Sequence, residues 1–212
     1  MKYEFELLDV VTRYQGFLGL KSYRLRHDLF AGGRSPVLER ERVESYRAAS
    51  VLLYDPERDR VVLIEQFRVG ALEHPRGPWV LEVIGGIIEG GQSAESVAIR
   101  EAMEEAGCEV LALESICEFM VSPGYSTERI HLFCGRVDSS AAGGIHGLAG
   151  EGEDIRVEVL PAETAIAGLY GGRIDSTSTI ISLQWLAMNR ERLRRLWGDE
   201  GPGAVPLDPG EG

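Results

Sequence analysis

Cysteine is scarce in this chain. Cys108, Cys117 and Cys134 are odd in number and form no C-x-x-C pair. That speaks against a disulfide-stapled secreted fold and fits free thiols in a reducing compartment. The four histidines, His27, His74, His131 and His146, are scattered without ligand spacing, which speaks against a histidine zinc centre. Long apolar runs are missing, and none approaches the ~20 residues that cross a bilayer as a helix. The opening stretch from Met1 to Glu6 alternates charge with apolar residues and lacks the apolar centre of a secretory leader, so a cytoplasmic location is expected. Positive charge is in deficit, with a net charge of −12. A field of that sign repels nucleic-acid backbones, so neither nucleic acid nor membrane is an expected partner. A small phosphorylated ligand is still admitted, because metal ions and a few local arginines can invert the potential inside one pocket. There is no G-x-S-x-G elbow, and the cysteines have no recognisable histidine partner, which leaves little room for a serine or cysteine hydrolase.

What is present suits one substantial domain with a small accessory unit: 212 residues, 44% of them hydrophobic. Three strand-like runs, 5–12, 18–26 and 37–43, are broken by Gly16, Gly19, Gly32-Gly33 and Pro36. Three short strands are marginal alone, so this piece must pack on something larger. Residues 48–54 and 60–67 read as a hairpin around Asp55-Pro56-Glu57-Arg58-Asp59. Residues 79–84 form a further strand ending at Gly85-Gly86, followed by a helix from Ala94 to Ala106 with Ser93 as N-cap and Gly107 as its stop. Strands return at 109–120, 130–137 and 155–160, with a loop of small residues over 138–152. Helices are expected at 162–170 and 177–197. The stretch 198–212 is Gly, Pro and acid, and reads as a disordered tail. Mixed strands with few helices give an α+β or α/β/α layered fold.

The helix at 94–106 carries the chemistry. At about 100° per residue, Glu101, Glu104 and Glu105 share one face, while Ile99, Ala102, Met103 and Ala106 lie opposite and can meet the core. Carboxylates at this spacing repel one another, and a hard cation such as Mg²⁺ removes the repulsion by taking oxygen ligands. A solvated acidic face is the ordinary meaning of such a run. Here, however, it follows a strand and a Gly-Gly turn, which lets a ligand approach backbone closely.

The run from Gly86 to Cys108 resembles the signature of the Nudix hydrolases. Gly86, Arg100-Glu101, Glu104-Glu105 and Gly107 stand at the family spacing, with apolar Ala102 and Cys108. Gln92 departs from the pattern, which has glutamate there as a partner of the arginine. Gln92 can still bond Arg100, and Glu89 is nearby to supply charge. Beyond this box, Pro123 sixteen residues after Gly107, Ser126-Thr127-Glu128-Arg129, and the acidic segment Glu151-Gly152-Glu153-Asp154 resemble the ADP-ribose pyrophosphatase branch.

That resemblance implies an α+β fold, a Nudix α/β/α sandwich over 45–197, with an N-terminal antiparallel β subdomain over 1–44 and a tail over 198–212. The subdomain is expected to exchange strands in a homodimer, with Phe17, Tyr23 or Phe30 as stacking candidates. The implied reaction is Mg²⁺-dependent (or Mn²⁺-dependent) hydrolysis of ADP-ribose to AMP and ribose 5-phosphate. Another nucleoside diphosphate sugar such as GDP-mannose, or a non-catalytic ADP-ribose sensor, is the alternative. By resemblance the metal is held by Gly85 through its carbonyl and by Glu101, Glu104, Glu105 and Glu153. Glu151 is the base, a role interchangeable with that of Glu153. Arg68, Glu82, Arg40 and Glu128 bind substrate. A guanidinium suits that task because it can bond two oxygens at once.

Overall fold

The computed structural model describes residues 3–148, 150 and 152–198. The chain divides into two compact units, one of Met1–Arg47 with Met120–Arg129, the other of the remaining residues.

In the first unit, β1 (Phe5–Gln15), β2 (Gly19–His27) and β3 (Leu38–Glu44) form an antiparallel sheet in that order. The segment around Pro123 fastens to the end of β3: Val43 N–H donates to the Tyr125 carbonyl at 2.7 Å and Thr127 N–H to the Val43 carbonyl at 3.1 Å. Every residue of β1 is exposed within this chain, including Phe5, Leu7, Leu8, Val10, Val11 and Tyr14. The three aromatic candidates differ in surroundings. Phe17 packs near Tyr46, Phe30 meets Tyr3 edge-on, and Tyr23 lies under the Arg42 guanidinium.

The second unit is a layered α+β sandwich. Its strands are β4 (Arg47–Asp55), β5 (Arg60–Phe67), β6 (Trp79–Glu82), β7 (Ile84–Ile87), β8 (Ala112–Met120), β9 (Arg129–Arg136), β10 (Gly144–His146) and β11 (Ile155–Pro161). They run in the order β10-β11-β5-β4-β9-β8, with β6 added to β5 and β7 to β4. The helices are α1 (Ala94–Ala106), α2 (Ala162–Gly168) and α3 (Thr177–Trp197). Among the described residues no helix is long and apolar enough to cross a membrane.

Strand alternation sorts the core into two layers. Val51, Leu53, Val62, Ile64 and Ile84 pack against α1. Leu52, Tyr54, Val61 and Leu63 point the other way, onto α2 and onto Leu183, Leu186, Leu193 and Trp197 of α3. A side chain fully buried in this way contributes about 1.5–3 kcal/mol.

Two aspartates hold the β4–β5 corner. The Asp55 carboxylate accepts N–H bonds from Glu57 and Arg58 at 3.1 and 3.0 Å, which shapes the β4–β5 turn. Asp59 closes that turn at φ 55°, a region that aspartate tolerates better than most residues. Its carboxylate accepts Tyr54 Oη–H at 2.8 Å and Arg190 Nε–H at 2.7 Å, with a second Arg190 bond beside it. The Arg190 hydrogen bond, opposed by burial and helped by Tyr54, holds the Asp59 carboxyl below its ordinary range.

Two sequence expectations are corrected here. Gly85-Gly86 does not end a strand but lies inside β7, where Ala49 pairs with Gly86 and Ser50 with Gly85. The small residues let the strand run directly beneath α1. The 138–152 loop likewise contains a short strand, β10, paired to β11. The expected tail lies outside the described residues, apart from Gly198.

Candidate active site

The site is assembled by α1 lying over β7. Ser93 caps the helix, its Oγ accepting Ser96 N–H at 3.1 Å. Gly107 ends it in the left-handed region at φ 63°, its N–H bonded to the Met103 carbonyl at 3.0 Å. The buried stripe of α1 is Val97, Ala98, Ala102, Glu105 and Ala106. Met103, expected in the core, is instead half exposed. The reason is rotational. The stripe at 98, 102 and 105 turns toward β7, which carries residue 103 out to solvent.

Glu105 is therefore a carboxylate within the core layer, 3% exposed. One oxygen accepts Gly85 N–H at 3.1 Å. Burial pushes its carboxyl up to about 8; the Gly85 bond pulls the other way, the nearby charges of Glu101 and Glu153 add to the rise, and Arg68 opposes it. Glu101 is raised as well, by burial first, and then by Glu104 and Glu153 against the pull of Arg100. Gly86 is the cradle for Glu101: a Cβ at residue 86 would overlap the Glu101 carboxylate.

The arginine of the box spends its guanidinium on its own helix, at 2.7 Å from Glu101 and 2.6 Å from Glu104. Gln92 does not bond it. The Gln92 side-chain oxygen instead accepts Glu89 N–H at 3.1 Å and tightens the turn before the helix. A neutral amide competes poorly for a guanidinium with two adjacent carboxylates.

Arg68 follows β5 and donates from Nε to Glu82 at 2.6 Å, so these two sequence candidates form one pair. They line a cavity of about 590 Å³ that also includes Glu73, His74, Asp175 and Ser176. Glu153 reaches the field of Glu101 and Glu105, while its own carboxylate accepts Leu148 N–H at 3.0 Å. Glu151 lies outside the described residues. Arg40 and Glu128 belong to the first unit: Arg40 is exposed on β3 opposite Tyr23, and Glu128 is half buried with its N–H on Ser126 Oγ at 3.1 Å. The structure thus gathers Gly85, Glu101, Glu104, Glu105, Glu153, Arg68 and Glu82 within the second unit.

The donor set fits a hard divalent ion. It is all oxygen, and two of its carboxylates sit where burial and mutual repulsion favour protonation, a cost that a cation relieves. Among the described residues no three His, Cys, Asp or Glu side chains are already gathered as a cation cage. Glu101 and Glu104 are turned to Arg100, and Glu153 to backbone.

Sequence reasoning missed the burial of Glu105 and the inward place of Gln66, which is 8% exposed. A signal existed for both. Glu105 continues the 98–102 stripe at helical spacing, and Gln66 continues Val62 and Ile64 at strand spacing.

The chain belongs to the NUDIX domain family, whose model matches residues 45–175. It is similar to the ADP-ribose pyrophosphatase of Haemophilus influenzae (strain ATCC 51907 / DSM 11121 / KW20 / Rd), with 47% identity over 92% of this chain and 91% of that protein. The ADP-ribose pyrophosphatase of Escherichia coli (strain K12) is 45% identical over 92% and 94%. The GDP-mannose pyrophosphatase of Citrobacter koseri (strain ATCC BAA-895 / CDC 4225-83 / SGSC4696) is 34% identical over 70% and 77%. Among solved structures, one described as an ADP compounds hydrolase shares the fold at a TM-score of 0.66, covering 88% of this chain and 96% of that one at 20% identity.

Proposed function

We infer that this protein hydrolyses the diphosphate bond of ADP-ribose, giving AMP and ribose 5-phosphate. One observation carries the reading: a near full-length likeness to two ADP-ribose pyrophosphatases coincides with a carboxylate row on α1 whose buried member, Glu105, feels the charge of Arg68. The likeness to a GDP-mannose pyrophosphatase is lower and covers less of the chain.

Glu101, Glu105 and the Gly85 carbonyl would hold Mg²⁺ or Mn²⁺, with Glu104 and Glu153 as further oxygen donors. Such an ion supplies charge neutralisation on phosphate oxygens and a more acidic water. The residues of the chain do the rest. Arg68 binds diphosphate oxygens through its guanidinium, and Glu82 fixes the plane of that group. Glu151 takes the proton from the attacking water as the new O–P bond forms and the bridging O–P bond breaks. Gly86 leaves room for the Glu101 carboxylate beside β7.

The same reading takes the protein to be a cytoplasmic homodimer. β1 offers apolar side chains on both faces of an edge strand, a surface that a second chain would cover.

The test is a hydrolysis panel of ADP-ribose, GDP-mannose and other sugar nucleotides with Mg²⁺, products being identified by mass. AMP and ribose 5-phosphate from ADP-ribose, at the highest kcat/KM of the panel, is the expected result. A preference for GDP-mannose would move the substrate assignment. Binding of ADP-ribose without turnover of any compound would favour a sensor.

A further inference from the structure

Among the described residues, one sheltered side-chain nitrogen or oxygen has no hydrogen-bond partner, the Nε2 of Gln66. Buried donors are nearly always paired, since leaving one unpaired costs stability that an apolar residue of the same size would not. An orphan of this kind at a random core position would be a defect. The position of this one is not random.

Gln66 is the last buried residue of β5 before the strand emerges as exposed Phe67 and Arg68. Inward residues Val62 and Ile64 of β5 belong to the layer under α1, and Val61 and Leu63 to the opposite layer. Regular pairing of Ile64 with Glu82 and Gln66 with Val80 keeps that alternation intact. Gln66 therefore faces the α1 side, two residues from Arg68, whose charge reaches Glu105. On its other flank, β11 pairs with β5 up to Arg156 opposite Glu65, with Ile155 the next residue of that strand and Asp154 just before it. The carboxamide thus lies on the α1 side of the sheet, two residues along β5 from Arg68 and paired across to Val80, which lines the cavity with Arg68 and Glu82, on the wall where the reading above puts the diphosphate.

We propose that Gln66 is a substrate-binding residue of this site, a neutral donor that hydrogen-bonds a diphosphate oxygen beside Arg68. The proposal rests on the diphosphate reading and adds a residue to it. A second guanidinium here would be captured by Glu82 or Glu105, as Arg100 is captured by Glu101 and Glu104. An amide has donors without the charge that draws it into a resting ion pair. Its missing acceptor then arrives with the anion, and the free protein bears the cost of the unpaired group.

The test compares wild type with Gln66→Leu, Gln66→Met and Gln66→Glu, reading ADP-ribose kcat/KM with Mg²⁺ and the melting temperature with and without the α,β-methylene analogue of ADP-ribose. The apolar variants should melt at or above wild type without ligand, lose about tenfold or more in kcat/KM, and show a smaller shift with the analogue. Gln66→Glu, the same size but an anion at neutral pH, should lose more. A kcat/KM within about threefold of wild type in Gln66→Leu and Gln66→Met overturns the proposal. So does a lower melting temperature in both, because the amide then serves the fold. A wild type inert toward ADP-ribose sinks the substrate reading instead. Gln66 is then judged by whether magnesium methylenediphosphonate raises the melting temperature of wild type more than that of Gln66→Leu.

Discussion

At the scale of single residues, the site depends on where two carboxylates are allowed to sit. Glu105 has traded solvent for a place between α1 and β7, and its glutamine isostere keeps the acceptor for Gly85 N–H while removing the charge. Glu105→Gln is expected to lower kcat on ADP-ribose by on the order of a thousandfold with the melting temperature retained. A rate equal to wild type would remove Glu105 from the metal set. Gly86→Ala tests Glu101 from the opposite side. The new methyl must push the Glu101 carboxylate aside, and that carboxylate is the flexible end of a side chain. The melting temperature should therefore fall little while kcat/KM drops about tenfold or more. Unchanged kcat/KM in Gly86→Ala would mean that Glu101 has no fixed place to lose.

At the scale of elements, sequence and structure agree wherever period and punctuation act together. The strand at 60–67 and the helix at 177–197 have the bounds that alternation and apolar spacing give. They part where the partner, not the segment, decides. Gly85-Gly86 has no strand preference of its own, and becomes a strand because Ala49 and Ser50 offer a ladder. A helical wheel shows that residues 101, 104 and 105 share a face, but not how deep β7 lets that face sink. The wheel alone thus misplaces Met103 and Glu105 in depth, although the helix itself is legible. Most of the metal-ligand candidates were legible from one motif, whereas Gln66 needed the paired neighbours of β5 to become visible.

The Asp59–Arg190 pair belongs to this scale because it joins the β4–β5 turn to α3. A carboxyl held below its ordinary value stabilises the fold above the unfolded value, about pH 4, and loses that contribution as pH falls through the lower folded value. Asp59→Asn keeps the left-handed turn residue and removes the charge. Wild type should therefore lose melting temperature more steeply than Asp59→Asn as pH falls below about 4. Parallel acid profiles would show that the pair contributes no net stability.

At the scale of the whole molecule, the open question in the fold is what covers β1. An edge strand of eleven residues, all exposed, with aromatic and aliphatic side chains on both faces, is a poor thing to leave in water. Sedimentation equilibrium is expected to give twice the mass of one chain. Replacing Val10 and Leu8 with lysine should shift the protein toward one chain without unfolding the second unit. A single-chain mass for wild type across the micromolar range would refute the dimer.

The bond between Asp59 and Arg190 spans 131 positions, and it is made by α3. Translation delivers α3 after the sheet that it covers. Until α3 clears the ribosome, the sheet side formed by Leu52, Tyr54, Val61 and Leu63 has, among the described helices, α2 alone to shelter it. A nascent chain arrested before Leu183 would thus display a greasy, half-roofed sheet. Chaperones and proteases that sort unfinished polypeptides would read that surface as a mark of incompleteness.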